Sequence, residues 1–442
     1  MKQLLVLLLL SVSMCGFAGE NERNATVSVQ ALPGSVAAGF HIAFKGRKLC
    51  EQEMNTPGFA DLTGYILEQN YRKMQQEFDK LGCELQFYDY PFLPFDDYYT
   101  RDEMSFIRGK VPNGKVAEAL SLVSQLIQSA ETVNGKELAQ AVRSCTRGNR
   151  MRRSLNAVAG QHLRQLLFEN EYPAYPTYFK GKIPDLMRVK KFMRRYYSPG
   201  NMTITVVGDV NAASLKKEIE GRFTASKAGA PCGAKFRVKM TIPEKRTASY
   251  ETSRKSQGQL VLVRPLKENL NESELAAALL FAREFSDLIS FQLREREGLA
   301  YSIGAGIRSI GGRYFLAVSM GTSPKFVKSS ADRISKMLET LLKEPGVSET
   351  ELERIRNSLL ISRRMKRLTN VNKAFFYGVN LLWHRPLNFE EQVDKSIEKV
   401  DIGTLANAKA LFSGPEIRML INATEGQLEK DNGEKREHRK HL

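Results

Sequence analysis

Apolar residues recur along this chain with two periods, one helical and one strand-like, and the order in which they alternate sets out the architecture. After a short polar segment, Ala37 to Phe44 reads as a strand. Thr56-Pro57-Gly58 interrupts the chain. Phe59 to Leu81 then places Leu62, Tyr65, Ile66, Tyr71, Met74, Phe78 and Leu81 at helical spacing. Leu85 to Tyr90 and Tyr98 to Arg108 are strand-like. Val116 to Ile127 is an amphipathic helix. Glu137 to Phe168 is a long basic helical region with a break expected near Gly148, and Pro184 to Tyr197 is a further helix. Asn201 to Val207 is an apolar strand, and Ala212 to Phe223 closes the unit as a helix.

Thr224 to Gly233, rich in Ala, Gly, Ser and Lys, reads as a linker, and the pattern then begins again. Gln259 to Val263 is a strand, Ser273 to Arg294 a long helix, and Ala300 to Arg308 and Arg313 to Met320 paired strands around Gly311-Gly312. Helices follow at Pro324 to Leu342, Ser348 to Lys366 and Thr369 to Leu382. FMRRYYSPGNMTITVV from Phe192 and AKALFSGPEIRMLI from Ala408 share one design: a helix end, a Pro-containing corner, then a strand. The expected fold class is therefore α+β, as two homologous half-repeats, each an antiparallel sheet with helices packed on it. The expected divisions are 1–18, 25–223, 224–246, 247–425 and a charged tail at 426–442.

Composition adds a compartment and removes some partners. Residues 1–18 carry Lys2, a Leu4 to Leu10 apolar core and Gly16-Phe17-Ala18, the pattern of a secretory signal cleaved after Ala18. Cys15 offers a lipoprotein alternative, disfavoured by the bulky Met14 before it. No later stretch is long and apolar enough for a membrane helix. The expected location is periplasmic or extracellular. Lys and Arg outnumber Asp and Glu by 66 to 49, which favours anionic partners, but no nucleic-acid motif accompanies the charge. Cys50, Cys83, Cys145 and Cys232 lack paired spacing and are expected as buried or free thiols. No G-x-S-x-G, Walker loop or Cys-nucleophile context is present.

The candidate chemistry lies at Leu293 to Ala305, LREREGLAYSIGA. Gly298 ends a helix, since Gly tolerates the left-handed cap conformation. Tyr301, Ile303 and Ala305 then alternate with Ser302, Gly304 and Gly306, so Arg294 and Tyr301 are expected to face one space. Phe281, Phe285 and Phe291 are expected to pack the helix.

This Arg, six residues and Tyr on a helix-turn-strand resemble the C-terminal half-repeat of the pitrilysin-type metallopeptidases, or inverzincins. YYSPGNMTITVVGDV from Tyr196 resembles that family's close of its first half, and the resemblance spans nearly the whole mature chain. It implies a half clam-shell chamber in which Arg294 and Tyr301 bind substrate backbone and help stabilise the reacting carbonyl. The family's zinc motif, H-x-x-E-H, has two His one turn apart with a Glu general base between them. Here Asp61 stands at the first His, Gly64 at the Glu and Tyr65 at the second His. The family's third ligand is a downstream Glu. No Asp or Glu occurs between Glu137 and Glu169, where Arg143, Arg147, Arg150, Arg152 and Arg153 lie instead. Of five histidines, His438 and His441 are in the tail, and His41, His162 and His384 fall in three elements with an expected structural or surface role.

The resemblance implies a subunit that binds no zinc itself. It would complete a heterodimeric zinc metalloendopeptidase with a family member carrying H-x-x-E-H, acting on peptide substrates. The alternative is an inactive family member with a structural or peptide-binding role.

Overall fold

In the computed structural model, which describes residues 24–87, 104–151, 155–168, 179, 182–224, 232, 240–243, 246–252, 257–310, 313–344 and 347–423, the strands segregate into two sheets of five. The expected signal at 1–18 with Cys15, Gly311-Gly312, the tail from 426 and most of the expected linker lie outside the described residues.

The first half runs β1 Thr26–Ala31, β2 Ala37–Lys45, α1 Arg47–Glu53, α2 Phe59–Lys73, α3 Gln75–Lys80, β3 Glu84–Gln86, β4 Met104–Pro112, α4 Val116–Ser129, α5 Gly135–Met151, α6 Leu155–Phe168, α7 Leu186–Tyr196, β5 Met202–Gly208 and α8 Ala212–Arg222. The second half runs β6 Thr247–Thr252, β7 Gly258–Pro265, α9 Glu272–Ile289, a π-helical turn Ser290–Arg296, β8 Ala300–Ile310, β9 Arg313–Thr322, α10 Val327–Lys343, α11 Glu349–Met365, α12 Asn370–Leu382, α13 Phe389–Lys399, α14 Ile402–Ala408 and β10 Ile417–Ala423.

The sheet orders are β1-β5-β2-β4-β3 and β6-β10-β7-β9-β8, so one becomes the other by renumbering. In each sheet only the first pair, β1 with β5 and β6 with β10, is parallel. The fold is thus a duplicated α+β unit.

Three sequence expectations need correction. Phe59 to Leu81 is two helices, interrupted at Met74. The break expected near Gly148 does not fall at that residue: α5 continues to Met151 and α6 begins at Leu155, with 152–154 outside the described residues. Cys50 and Cys232 are joined in a disulfide that ties α1 across 182 residues, whereas Cys83 and Cys145 are buried thiols outside it. A separation so long leaves no spacing signal for sequence reading to find.

The halves interlock by exchanging helices. α12 of the second half covers β2 and β5 of the first, which is why β2 is buried along nearly its whole length rather than on alternate residues. Asn370 donates its side-chain N–H to the Ala37 carbonyl at 2.6 Å, and the Thr205 hydroxyl donates to the Ala374 carbonyl at 2.6 Å. In return α6 packs on the second sheet, with Leu163, Leu167 and Phe168 against Val263, Ile417 and Met419. Under α12, His41 is fully buried, 5.1 Å from the Phe375 ring and opposite Arg108 on β4. Neither ring nitrogen has a hydrogen-bond partner among the described residues. Burial, helped by the Arg108 charge, holds its pKa down at about 3, so His41 is neutral.

Candidate functional site

α9 begins with a capping box, in which Asn271 and Glu274 satisfy each other's backbone N–H groups. Its apolar stripe, Phe281, Phe285 and Ile289, is fully buried and reaches Leu293 in the π-helical turn. Such wide turns occur mostly where a helix is locally reshaped, frequently at functional sites. Gly298 then takes φ +63°, as the cap requires. Its N–H donates to the Arg294 carbonyl at 3.2 Å, and that of Leu299 to the Leu293 carbonyl at 2.8 Å.

The corner is held from three sides. The Glu297 carboxylate takes both terminal nitrogens of Arg333 from α10 and a third bond from Gln292 at 3.0 Å. The Arg333 bonds, foremost, lower the pKa of Glu297. The Thr322 hydroxyl donates to the Leu299 carbonyl at 2.5 Å, and the Ala305 N–H donates to the Ser286 hydroxyl at 3.1 Å. No pattern in the sequence marked Glu297, Arg333 or Thr322, because they meet only through the tertiary fold.

On this corner Arg294 and Tyr301 both project to solvent. The Arg294 side chain is 56% exposed, with Glu295 3.6 Å from its Nε as the nearest acid, and Tyr301 is 62% exposed. No hydrogen bond or ring contact joins the two side chains among the described residues. The strict alternation expected from Tyr301 does not hold. The register of β8 on β9 shifts between Ala300 and Ser302, so Tyr301 is the extra residue of a bulge. Ala300, Ile303, Ala305 and Ile307 pack on the helix layer while Tyr301 is turned out. Phe291 also departs from expectation. It is 54% exposed, with the Arg296 guanidinium 5.1 Å from its ring.

The candidate positions of the first half lie at the opposite end of the matching helix, the start of α2, and are closed. Gly58, at φ +82°, starts α2, and Asp61 on its first turn is buried against the Arg47 guanidinium of α1. Beside it Lys48 pairs with Glu51 at 2.9 Å, and the other Glu51 oxygen accepts the Ala60 N–H at 2.9 Å. The Thr63 and Tyr197 hydroxyls meet at 3.0 Å. Gly64 borders a cavity of about 20 Å³, space for roughly one water. Tyr65 packs against the core.

These positions do not fit a zinc ion. The Asp61 carboxylate is engaged by a guanidinium, Gly64 has no side chain, and a phenol is a poor neutral-pH ligand. Glu137, the one acid near the third-ligand region, caps α5 and binds Lys73 at 2.6 Å, which lowers its pKa. His162 stacks on Tyr250 with ring centroids 3.8 Å apart, and His384 lies just past α12. Among the described residues no three His, Cys, Asp or Glu side chains stand together as a metal site needs.

Residues 185–359 match the family model described as "Peptidase M16 inactive domain". Among solved structures, the chain is similar to a peptidase M16 inactive domain from Pseudomonas fluorescens, at TM-score 0.72 and 17% identity, covering 91% of this chain and 96% of that one. It is similar to a protease from Helicobacter pylori at TM-score 0.73 and 13% identity, covering 90% and 97%. It also resembles the periplasmic protease PqqL from Escherichia coli at TM-score 0.66 and 11% identity, where it covers 90% of this chain and 44% of that one. Nothing matches among curated proteins.

Proposed function

We propose, from the premise that this chain is a pitrilysin-type (M16) family member of the kind lacking the zinc motif, that it is the non-catalytic, substrate-binding subunit of a heterodimeric zinc metalloendopeptidase acting on peptides in the cell envelope. The observation that carries this reading is the corner at Gly298. Its backbone is anchored by Glu297, Arg333 and Thr322, yet Arg294 and Tyr301 face solvent. A rigid frame with solvent-facing donors is what substrate positioning asks for. In this reading the guanidinium and the phenol donate hydrogen bonds to peptide carbonyls near the scissile bond, and the partner supplies zinc, its ligands and the general base.

Export is supported by the Leu-rich first residues and by the Cys50–Cys232 disulfide, which suits an oxidising compartment. Among the described residues no helix is long and apolar enough to cross a membrane.

The test begins with co-purification from the native envelope and identification of a chain carrying H-x-x-E-H. In the reconstituted pair, loss of one oxyanion-type donor costs on the order of 3 kcal/mol, so Arg294→Ala and Tyr301→Phe should each lower turnover roughly a hundredfold. Thermal unfolding should barely move, since both side chains are exposed. Near-normal turnover of both variants in an assembled complex would transfer the assignment to the structural or peptide-binding alternative.

A further inference from the structure

The two halves each contain a cleft at the same place, where the helix layer meets the Ser-Pro or Ser-Gly-Pro corner before the last strand. In the second half Arg264, Arg418, Ser335, Glu339 and Glu416 line it. Two of its basic side chains are paired with acids: Arg264 binds Glu339 at 2.5 Å and Glu416 at 3.6 Å, and Arg418 binds Glu416 at 2.7 Å and Asp332 at 2.6 Å, while Arg246 and Lys409 also line it.

The first half keeps the geometry and drops those two acids. α4 and α10 both begin one residue after a short 3₁₀ turn, which pairs Ser124 with Ser335 and Gln128 with Glu339. The corners pair Ser198 with Ser413 and Asn201 with Glu416. An amide therefore stands at the positions of Glu339 and Glu416, Ser121 at that of Asp332 and Thr203 at that of Arg418, and Asn201 is spent on the Arg195 carbonyl and the Cys232 N–H.

What remains is a cleft of about 1190 Å³ lined by five basic and two acidic side chains. Glu53, one of the acids, is paired with Arg195 at 2.6 Å. Among the described residues no carboxylate pairs with Lys191 or Arg194, both exposed on α7. Two buried hydroxyls in the lining, those of Thr56 (2% exposed) and Ser198 (4% exposed), have no hydrogen-bond partner among the described residues. Buried hydroxyls without partners are costly to the free protein and ready to bond a ligand. Met193, Met202, Tyr197 and Phe223 give the same cleft an apolar side.

We propose that this first-half cleft binds an acidic segment of polypeptide. Carboxylates would meet Lys191, Arg194 and Arg188 and accept from the two hydroxyls, while the aliphatic parts of the segment lie on the methionines and aromatic rings. The volume and the apolar side argue for a peptide over a bare anion, which would use only the charges. The proposal does not depend on a zinc-bearing partner, because binding is measured on this chain alone.

The experiment titrates the full chain into a fluorescent glutamate-rich peptide at low ionic strength. Lys191→Glu with Arg194→Glu should weaken binding at least about tenfold. Thr56→Val should weaken it about fivefold without changing net charge. Gln128→Glu, at an exposed position, restores the acid of the second half and should also weaken it. Lys328→Glu with Lys336→Glu, exposed on α10, makes the same change in net charge away from the cleft and should leave binding unchanged. Equal loss in the two double variants would overturn the proposal, as would the absence of any binding by the parent chain. Inorganic phosphate competing as well as an unlabelled peptide of equal charge would also overturn it.

Discussion

The two halves share a topology and differ in which polar sites they close. At the start of α2 every charge is satisfied within the chain: Arg47 with Asp61, Lys48 with Glu51, and α1 itself tied down by the Cys50–Cys232 bridge. At the end of α9 the frame is equally well bonded, but the side chains at the candidate positions point out. The clefts differ in which basic side chains are paired: Arg264 and Arg418 bind Glu339 and Glu416 in the second half, while in the first no carboxylate among the described residues pairs with Lys191 or Arg194. A duplicated fold can thus spend the polar groups of one half on its own packing while leaving those of the other exposed.

The sharpest way to break this comparison is to open the closed corner. Asp61→Ala leaves the Arg47 guanidinium buried beside no carboxylate from α2, and should cost about 3–5 kcal/mol. A chevron or denaturant titration reads it. A loss below about 1 kcal/mol would mean that the corner is not structural. Replacing both residues, Arg47→Met with Asp61→Leu, should recover most of the loss, since an apolar pair of similar volume has no charge to strand.

Next in size is the disulfide. It closes a loop spanning 182 residues, so Cys50→Ser should destabilise the first half by about 2–5 kcal/mol. The reduced parent chain should match the variant in thermal unfolding. The second half has no such staple among the described residues, and proteolysis under reducing conditions should therefore cut first in the first half.

The third test contrasts two buried groups of opposite sign. His41, in the first half, has its pKa held at about 3 by burial and Arg108, below its unfolded value of 6.5. The unfolded chain takes up that proton first, so its contribution is whole above about pH 6.5 and declines as pH falls toward 3. Glu284, in the second half, is raised to about 7, chiefly by burial, from 4.5. Its folded form holds the proton longer, so its contribution is whole below about pH 4.5 and declines as pH rises toward 7. Between pH 4.5 and 6.5 the two slopes oppose each other, and their joint effect on stability should be close to flat. His41→Leu should expose a fall with rising pH, and Glu284→Gln a fall with falling pH, each of about 1.4 kcal/mol per pH unit. Parallel profiles for both variants would contradict the burial assigned to the two groups.

The longer helices of both halves and the central strands are readable because their apolar spacing survives in one dimension, whereas α1, α13 and α14 escape the sequence reading. Ile204 and Val206 in β5, or Ile334, Leu338 and Leu341 in α10, are buried where their period places them. β1 escaped because its alternation is short, Val27 and Val29 around Ser28, and its edge position is set by a parallel partner far along the chain. α12 was legible as a helix, but not as the lid on the other half's sheet, since that contact is made at long range. Tyr301 was located correctly in its strand and given the wrong phase, because a bulge adds one residue without any mark in the residue types. Phe291 was grouped with Phe281 and Phe285 by type, although two residues beyond Ile289 it already falls off the buried stripe. Asp61 carries no mark in the sequence of the arginine from another helix that engages its carboxylate.

The smallest expected effect compares two matching glycines. Gly82 and Gly298 each end a helix before an edge strand, at φ +62° and +63°. Alanine at either site meets no close atom: the nearest to Gly82 is a Pro112 side-chain carbon at 3.5 Å, and Gly298 has nothing within 4 Å. Only the left-handed backbone is penalised, so Gly82→Ala and Gly298→Ala should each cost about 1 kcal/mol of stability. The halves should part company in function. Relaxing the backbone at Gly298 shifts the π-helical turn carrying Arg294 relative to the bulge carrying Tyr301, and misplacement by about 1 Å can cost on the order of a hundredfold in rate. In the reconstituted complex, Gly298→Ala should lower turnover while Gly82→Ala leaves it near the parent value, though the two unfold at similar temperatures. Equal turnover of the two variants would remove the distinction between an open and a closed half at its most local point.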